Sequence, residues 1–282
     1  MTDWPELDDE LEAWRRCGHG ATFWWRDDDA ASWTPALDRL LEMRARHGVP
    51  LALSVIPASA DSSLAKSVRG RDGVTVLQHG YEHANRAAPG EPECELASHL
   101  PAASVMEELR EGWRRLARLF PDTAMPIMVP PWNRIAPALV PLLPSAGFTG
   151  LSTFGARSAA EAAPGLIQSN VHVELIDWRP KPGFLGWGLV ADRLWRREKG
   201  VRFRGRRGFV GPAGTLRQIV EHLAARRQGL ADIDELTGLM THHAHCDAEC
   251  WDFVDAFLSR TRAAPSVRWL SAGEVFAQSL SV

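Results

Sequence analysis

Short apolar runs recur along the chain, each closed by polar or titratable side chains, with segments of helical period between them. ATFWW (21–25) predicts a buried strand that runs into Arg26 and the consecutive aspartates Asp27, Asp28 and Asp29. TPALDRLLEMRARHG (34–48) predicts a helix, with Thr34 as N-cap, Pro35 in its first turn and Gly48 just past its end. VPLALSVIP (49–57) and VTVLQ (74–78) predict two further strands, and the second opens into the polar loop HGYEHANRAAPGEPE (79–93). VMEELREGWRRLARLF (105–120) predicts a helix entered through a capping box of Ser104 and Glu107. PIMVPPWNR (126–134) predicts a strand closed by prolines, followed by a helix through PALVPLLPSAG (137–147). FTGLSTFG, HVELIDW, LTGLMTHH and SVRWLS complete the series of short apolar segments. Strands alternating with helices predict an α/β fold with a mainly parallel sheet. No fixed-period repeat and no linker divides residues 1–282, so a single domain is expected.

In such folds the chemistry gathers at the C-terminal ends of the strands. The reactive residues fall there: Asp27 to Asp29 after the first strand, His79 and His83 after the third, Trp132 after MVPP, Asp177 and Trp178 ending HVELIDW, and His242 after LMT. Adjacent carboxylates repel, and burying them without compensation is costly, so the aspartate run calls for a cation or solvent. A solvated loop with one aspartate capping the next helix accounts for the run alone equally well. Taken together, one carboxylate and two imidazoles spaced H-x-x-x-H make a three-ligand set that leaves a coordination position open.

Composition narrows the field. The chain has 282 residues, 45% hydrophobic and 24% charged, as an ordinary globular protein does, and its formal net charge of -3 argues against a protein built mainly for nucleic acid. The acidic, amphipathic start lacks the pattern of a secretory signal, no run approaches the length of a membrane span, and four scattered cysteines make no disulfide framework. A cytoplasmic protein that does not engage membranes is expected.

These motifs, in this order, resemble the polysaccharide deacetylases of the NodB type, carbohydrate esterase family 4, over residues 20 to 275. The resemblance implies an irregular (β/α)7-type barrel. RDDD resembles the family's T-F-D-D-G, which makes Asp27 the catalytic base and Asp28 the metal-binding aspartate; HGYEH resembles H-S/T-x-x-H, which makes His79 and His83 the other ligands. VPPW resembles R-x-P-Y/W and assigns the Trp132 amide to the oxyanion. DW at Asp177 and Trp178 resembles the fourth motif, and LMTHH the fifth, with His242 as general acid and His243 as its competitor for that role. Val129 stands in place of the family arginine that holds the base, so Arg26 or Arg134 is expected to reach the same carboxylate.

The implied activity is metal-dependent amide hydrolysis, removing an N-acetyl or similar acyl group from a sugar-like or oligosaccharide substrate. Zinc is the first choice of divalent metal, with cobalt, nickel and iron compatible with the ligand set. The same residues admit a hydrolase of non-sugar amides, a non-haem iron oxygenase, or a non-catalytic binding homologue. A homo-oligomer is also allowed. HHAHCDAEC (242–250) admits a structural zinc site, although the helical pattern of AECWDFVDAFLSR directs Cys250 inward. Trp24, Trp25, Trp113 and Trp251 are expected in the core. The basic stretch 192–207 reads as a solvated face, with an entrance for an anionic substrate or a contact with nucleic acid as its competitors.

Overall fold

The computed structural model describes residues 4–178 and 208–277. Its chain alternates strands and helices: α1 (Trp4–Arg16), β1 (Ala21–Ala30), α2 (Pro35–His47), β2 (Leu51–Val55), α3 (Ser62–Val68), β3 (Val74–His79), α4 (Ala102–Leu119) and β4 (Ala124–Val129). Short strands β5 (Gly150–Leu151), β6 (Glu161–Ala163), β7 (Leu166–Gln168), β8 (Val173–Glu174), β9 (Ile176–Asp177) and β10 (Gly208–Phe209) follow. The chain then forms α5 (Pro212–Arg227), β11 (Thr237–Thr241), α6 (Ala248–Ala263), β12 (Val267–Trp269) and α7 (Ala272–Ala277). One ten-stranded sheet runs β6-β7-β5-β4-β3-β2-β1-β11-β8, with β12 also paired to β1; every pair in it is parallel except β6 with β7. The fold is α/β with a mostly parallel sheet, as the alternating pattern predicts.

Both faces of the sheet are covered, which is why its strands are apolar almost throughout. Phe23 and Trp25 of β1, Leu51 and Leu53 of β2, and Val76 of β3 pack against helices in the larger core cluster. The opposite face carries Trp24, Ala52, Leu77, Ile127, Val129 and Met240 in a second, smaller cluster. Gly238 admits Trp24 there, because a Cβ on it would lie 2.6 Å from the indole Nε1.

Local signals explain most boundaries. Thr34 Oγ1 accepts from the Leu37 amide at 3.0 Å, and Gly48 ends α2 at φ 61. The Ser104–Glu107 capping box does not form: α4 begins at Ala102 with Pro101 at its N-cap, and the Ser104 amide donates to Pro101 O within the first turn. Residues 137–147 form two 3-10 segments rather than an α-helix, because Pro141 and Pro144 each lack the amide that a longer helix needs. Cys250 is buried on α6. The basic stretch 192–207 lies outside the described residues.

Candidate active site

β1 builds the site by alternation. Trp24, Arg26 and Asp28 share one face and Trp25 and Asp27 the other, because successive strand residues point in opposite directions. Asp27 therefore turns toward the segment after β11. Its Oδ2 accepts from Thr241 Oγ1 at 2.6 Å and the His243 amide at 3.0 Å, and its Oδ1 lies 2.5 Å from His243 Nδ1. The carboxylate thus grips the residues on either side of His242. Burial lowers the pKa of His243, but the Asp27 charge and hydrogen bond outweigh it and raise the pKa overall.

Asp28 faces Arg26, two residues away on the same face. Arg26 Nε donates to Asp28 Oδ1 at 2.9 Å and its NH2 to Oδ2 at 2.8 Å, a bidentate pair with both side chains buried. Ser152 Oγ and Asn133 Oδ1 accept from Arg26 NH1 and NH2 at 2.7 and 2.6 Å, and the Ser152 carbonyl from NH1 at 3.3 Å. Burial raises the Asp28 pKa, and the Arg26 charge, with those of His79 and His242, more than reverses this, so the carboxyl sits below its ordinary range. Arg26 thus reaches Asp28 and not Asp27, the carboxylate that the motif resemblance made the base. Arg134 is exposed and donates instead to Glu93 O at 2.9 Å.

Asp29 breaks the alternation. It lies at φ 72, at a bulge where the register of β1 with β2 shifts between Asp27 and Ala30. The bulge re-aims its carboxylate toward β3: Asp29 Oδ1 is 3.2 Å from both His79 Nε2 and His83 Nε2. These donor atoms lie within 4.8 Å of one another. Asp29, not Asp28, thus stands with the two histidines. His79 Nδ1 donates to the Val129 carbonyl at 3.0 Å, which leaves Nε2 for the centre. Burial pushes the Asp29 pKa up, but hydrogen bonds from the protonated rings of His79 and His83 carry it well below the carboxylate range. A carboxylate and two imidazoles, one oriented by a backbone carbonyl, fit a divalent transition metal.

A cavity of about 870 Å³ opens over this cluster, lined by Asp28, Asp29, His79, His83, Trp132, Asn133, Arg134, Phe154, Glu174, Trp178, His242 and His245 among others. Trp132 holds the left-handed backbone φ 54, uncommon for an aromatic residue, and its ring centroid is 4.3 Å from that of His83. Across the cavity, His242 Nδ1 lies 3.7 Å from Glu174 Oε1, and Trp178 Nε1 donates to Glu174 Oε2 at 2.8 Å. Burial raises the Glu174 pKa despite His242 and Trp178. Glu174 was not singled out by the motifs; it shares the HVELIDW segment with Asp177, which pairs with Gly208 and does not line the cavity. His242 lines the cavity, whereas His243 is held by Asp27.

The other metal-competent cluster among the described residues, His172, His222 and Glu235, behaves differently. His172 Nδ1 accepts from the Gly238 amide at 3.1 Å, so the neutral ring carries its proton on Nε2 and turns a donor, not a lone pair, toward Glu235. Neither cluster includes a cysteine: Cys246 and Cys250 lie with their sulfurs 3.0 Å apart, outside both.

No family model matches the sequence, and no curated protein matches it. Solved structures do. A Mycobacterium smegmatis protein assigned as a polysaccharide deacetylase superposes with a TM-score of 0.59 at 16% identity, covering 99% of this chain and 86% of its own. The Bc1960 peptidoglycan N-acetylglucosamine deacetylase, solved in complex with an N-hydroxybenzamide compound, gives a TM-score of 0.50 at 13% identity, covering 94% and 96%. A mutant of BA3943, a family 4 pseudoenzyme with restored enzymatic activity, gives 0.52 at 11% identity, covering 92% and 68%. The chain has the fold of the polysaccharide deacetylases of carbohydrate esterase family 4.

Proposed function

We propose that this protein is a metal-dependent amide hydrolase that removes an N-acetyl or similar acyl group from a sugar-like substrate. The observation that carries the reading is the facing of two groups across one cavity: the Asp29, His79 and His83 cluster beside the arginine-held Asp28, and His242 with Glu174 opposite. The aspartate run is thereby assigned one residue further along than the motif alignment implied, with Asp29 as metal ligand and Asp28 as base.

A divalent metal, zinc by its preference for this donor set, would supply Lewis acidity toward water and the acyl oxygen. Asp28, kept ionised by Arg26, accepts a proton from the attacking water. His242 returns a proton to the departing nitrogen, with the carboxyl of Glu174 3.7 Å from its Nδ1. Trp132 is assigned the developing oxyanion through its backbone amide. Amide and water become carboxylic acid and amine, with no redox step. Trp178 and the half-exposed Phe154 offer aromatic faces for a sugar ring.

The test is acetate release from N-acetylated chito-oligosaccharides by zinc-loaded protein, with metal content measured alongside. Release by the wild type, lost together with the metal in Asp29→Ala, is the expected result. Zinc bound without turnover of sugar or non-sugar amides would favour a non-catalytic homologue, as the pseudoenzyme with this fold illustrates. Turnover that requires oxygen and a reductant would favour the oxygenase instead.

A further inference from the structure

We propose that Glu95 is a positioning residue for the metal centre, a buried carboxylate that sets the backbone carrying His83. The inference rests on the metal-centre reading above. Glu95 is fully buried, and among the described residues no cation pairs with it. Its Oε2 accepts from the Tyr81 amide at 3.1 Å and its Oε1 from the Glu82 amide at 2.8 Å. Those are the two amides immediately before His83, which stands at φ 59 with Nε2 3.2 Å from Asp29.

The rest of the loop is tied at the same points. The Gly80 amide donates to Val129 O at 3.1 Å, and Tyr81 O accepts from the Ala58 amide at 2.9 Å. Gln78 Nε2 donates to Gly80 O at 3.0 Å. Gly80 stands at φ 55, and a Cβ there would lie 2.0 Å from Glu95 Oε2 and 2.6 Å from the Pro131 ring, so the glycine and the carboxylate interlock. A buried charge is costly unless hydrogen-bonded. Two convergent amides meet that requirement, and they fix the direction from which His83 leaves a left-handed backbone. Without the carboxylate, both amides lose their partner and His83 loses its approach to Asp29.

The experiment measures zinc affinity against a competing chelator, and the visible spectrum of the cobalt-substituted protein, for wild type, Glu95→Ala and Glu95→Gln. Circular dichroism and thermal melting record the fold. Expected are one zinc in the wild type, binding weaker by about 10- to 100-fold in Glu95→Ala with an altered cobalt spectrum, and an intermediate loss in Glu95→Gln, whose amide oxygen still accepts one N–H. Folded variants with wild-type zinc affinity and an unchanged cobalt spectrum would reduce Glu95 to a structural residue and overturn the proposal. Should Glu95→Ala not fold, Glu95→Gln, of nearly equal volume, decides by the same criterion. A wild type that takes up no zinc overturns the metal-centre reading and this inference with it; unchanged variants of a zinc-binding wild type overturn the inference alone.

Discussion

Three adjacent aspartates do three different things because each meets a different neighbour: Asp27 grips Thr241 and His243, Asp28 pairs with Arg26, and Asp29 joins His79 and His83. Both side chains of the Arg26–Asp28 pair are buried, so removing one partner strands the other. Arg26→Met is expected to lower stability by about 3–5 kcal/mol, read from urea unfolding at neutral pH. The deficit should shrink in acid, because an unpaired Asp28 relieves itself by taking up a proton. An equal deficit at pH 5 and pH 8 would refute this account. Asp28→Asn removes the proposed base and does not alter the Asp29, His79 and His83 donors. Zinc content should stay at the wild-type level while turnover falls by about 10²- to 10⁴-fold. Loss of metal in that variant would return Asp28 to the ligand set.

At the scale of elements, the boundaries that matter are those made by single residues. The Thr34 cap on α2 comes four residues after the end of the strand that carries the aspartates, and its hydroxyl holds the Leu37 amide at the first turn. Thr34→Ala is expected to cost about 1 kcal/mol, and Thr34→Ser almost nothing, in the same urea titration. The α2 signals were legible because they are local: a cap, a proline and a glycine within one segment. The Ser104 box was equally local in form, yet the helix starts three residues earlier, where Ala102, Ala103 and Ser104 extend it back to Pro101. The HVELIDW segment splits into two short strands, β8 and β9, and that split decides that Glu174 rather than Asp177 lines the cavity.

For the molecule as a whole, the stacked His172 and His222, 3.5 Å between ring centroids, impose a pH dependence. Burial lowers both pKa values, that of His222 to about 2, with Arg226 nearby acting in the same direction. Above about pH 6.5 the rings are neutral in folded and unfolded chains alike, and they contribute no pH dependence. As pH falls below that value the unfolded chain takes up protons that the folded protein refuses, so stability drops by up to about 1.4 kcal/mol per pH unit for each such group. His243 acts in the opposite direction, since its raised pKa adds stability that is lost as pH rises through it. The comparison that isolates the pair is His222→Gln, expected to flatten the loss of stability between pH 6.5 and pH 5 relative to wild type. Parallel curves for the two proteins would exclude His222 as a source.

From sequence alone came the α/β alternation, the parallel sheet, the cap and end of α2, the inward Cys250, and the cluster of acids and imidazoles at the strand ends. All of these depend on local periodicity, or on the rule that parallel sheets gather chemistry at one edge. Alternation along β1 also carries the opposite facing of Asp27 and Asp28, a signal contained in ATFWWRDDDA itself. The same alternation would put Asp29 on Asp27's side. Only the bulge at φ 72 brings it to His79 and His83, and that bulge comes from the pairing of β1 with β2, which no single segment encodes. The partners Arg26–Asn133, His242–Glu174 and Glu95–Glu82 likewise join residues from separate elements or distant stretches of loop. Which aspartate meets which neighbour was decided by tertiary packing, because a carboxylate's role depends on the cation or donor that burial brings to it.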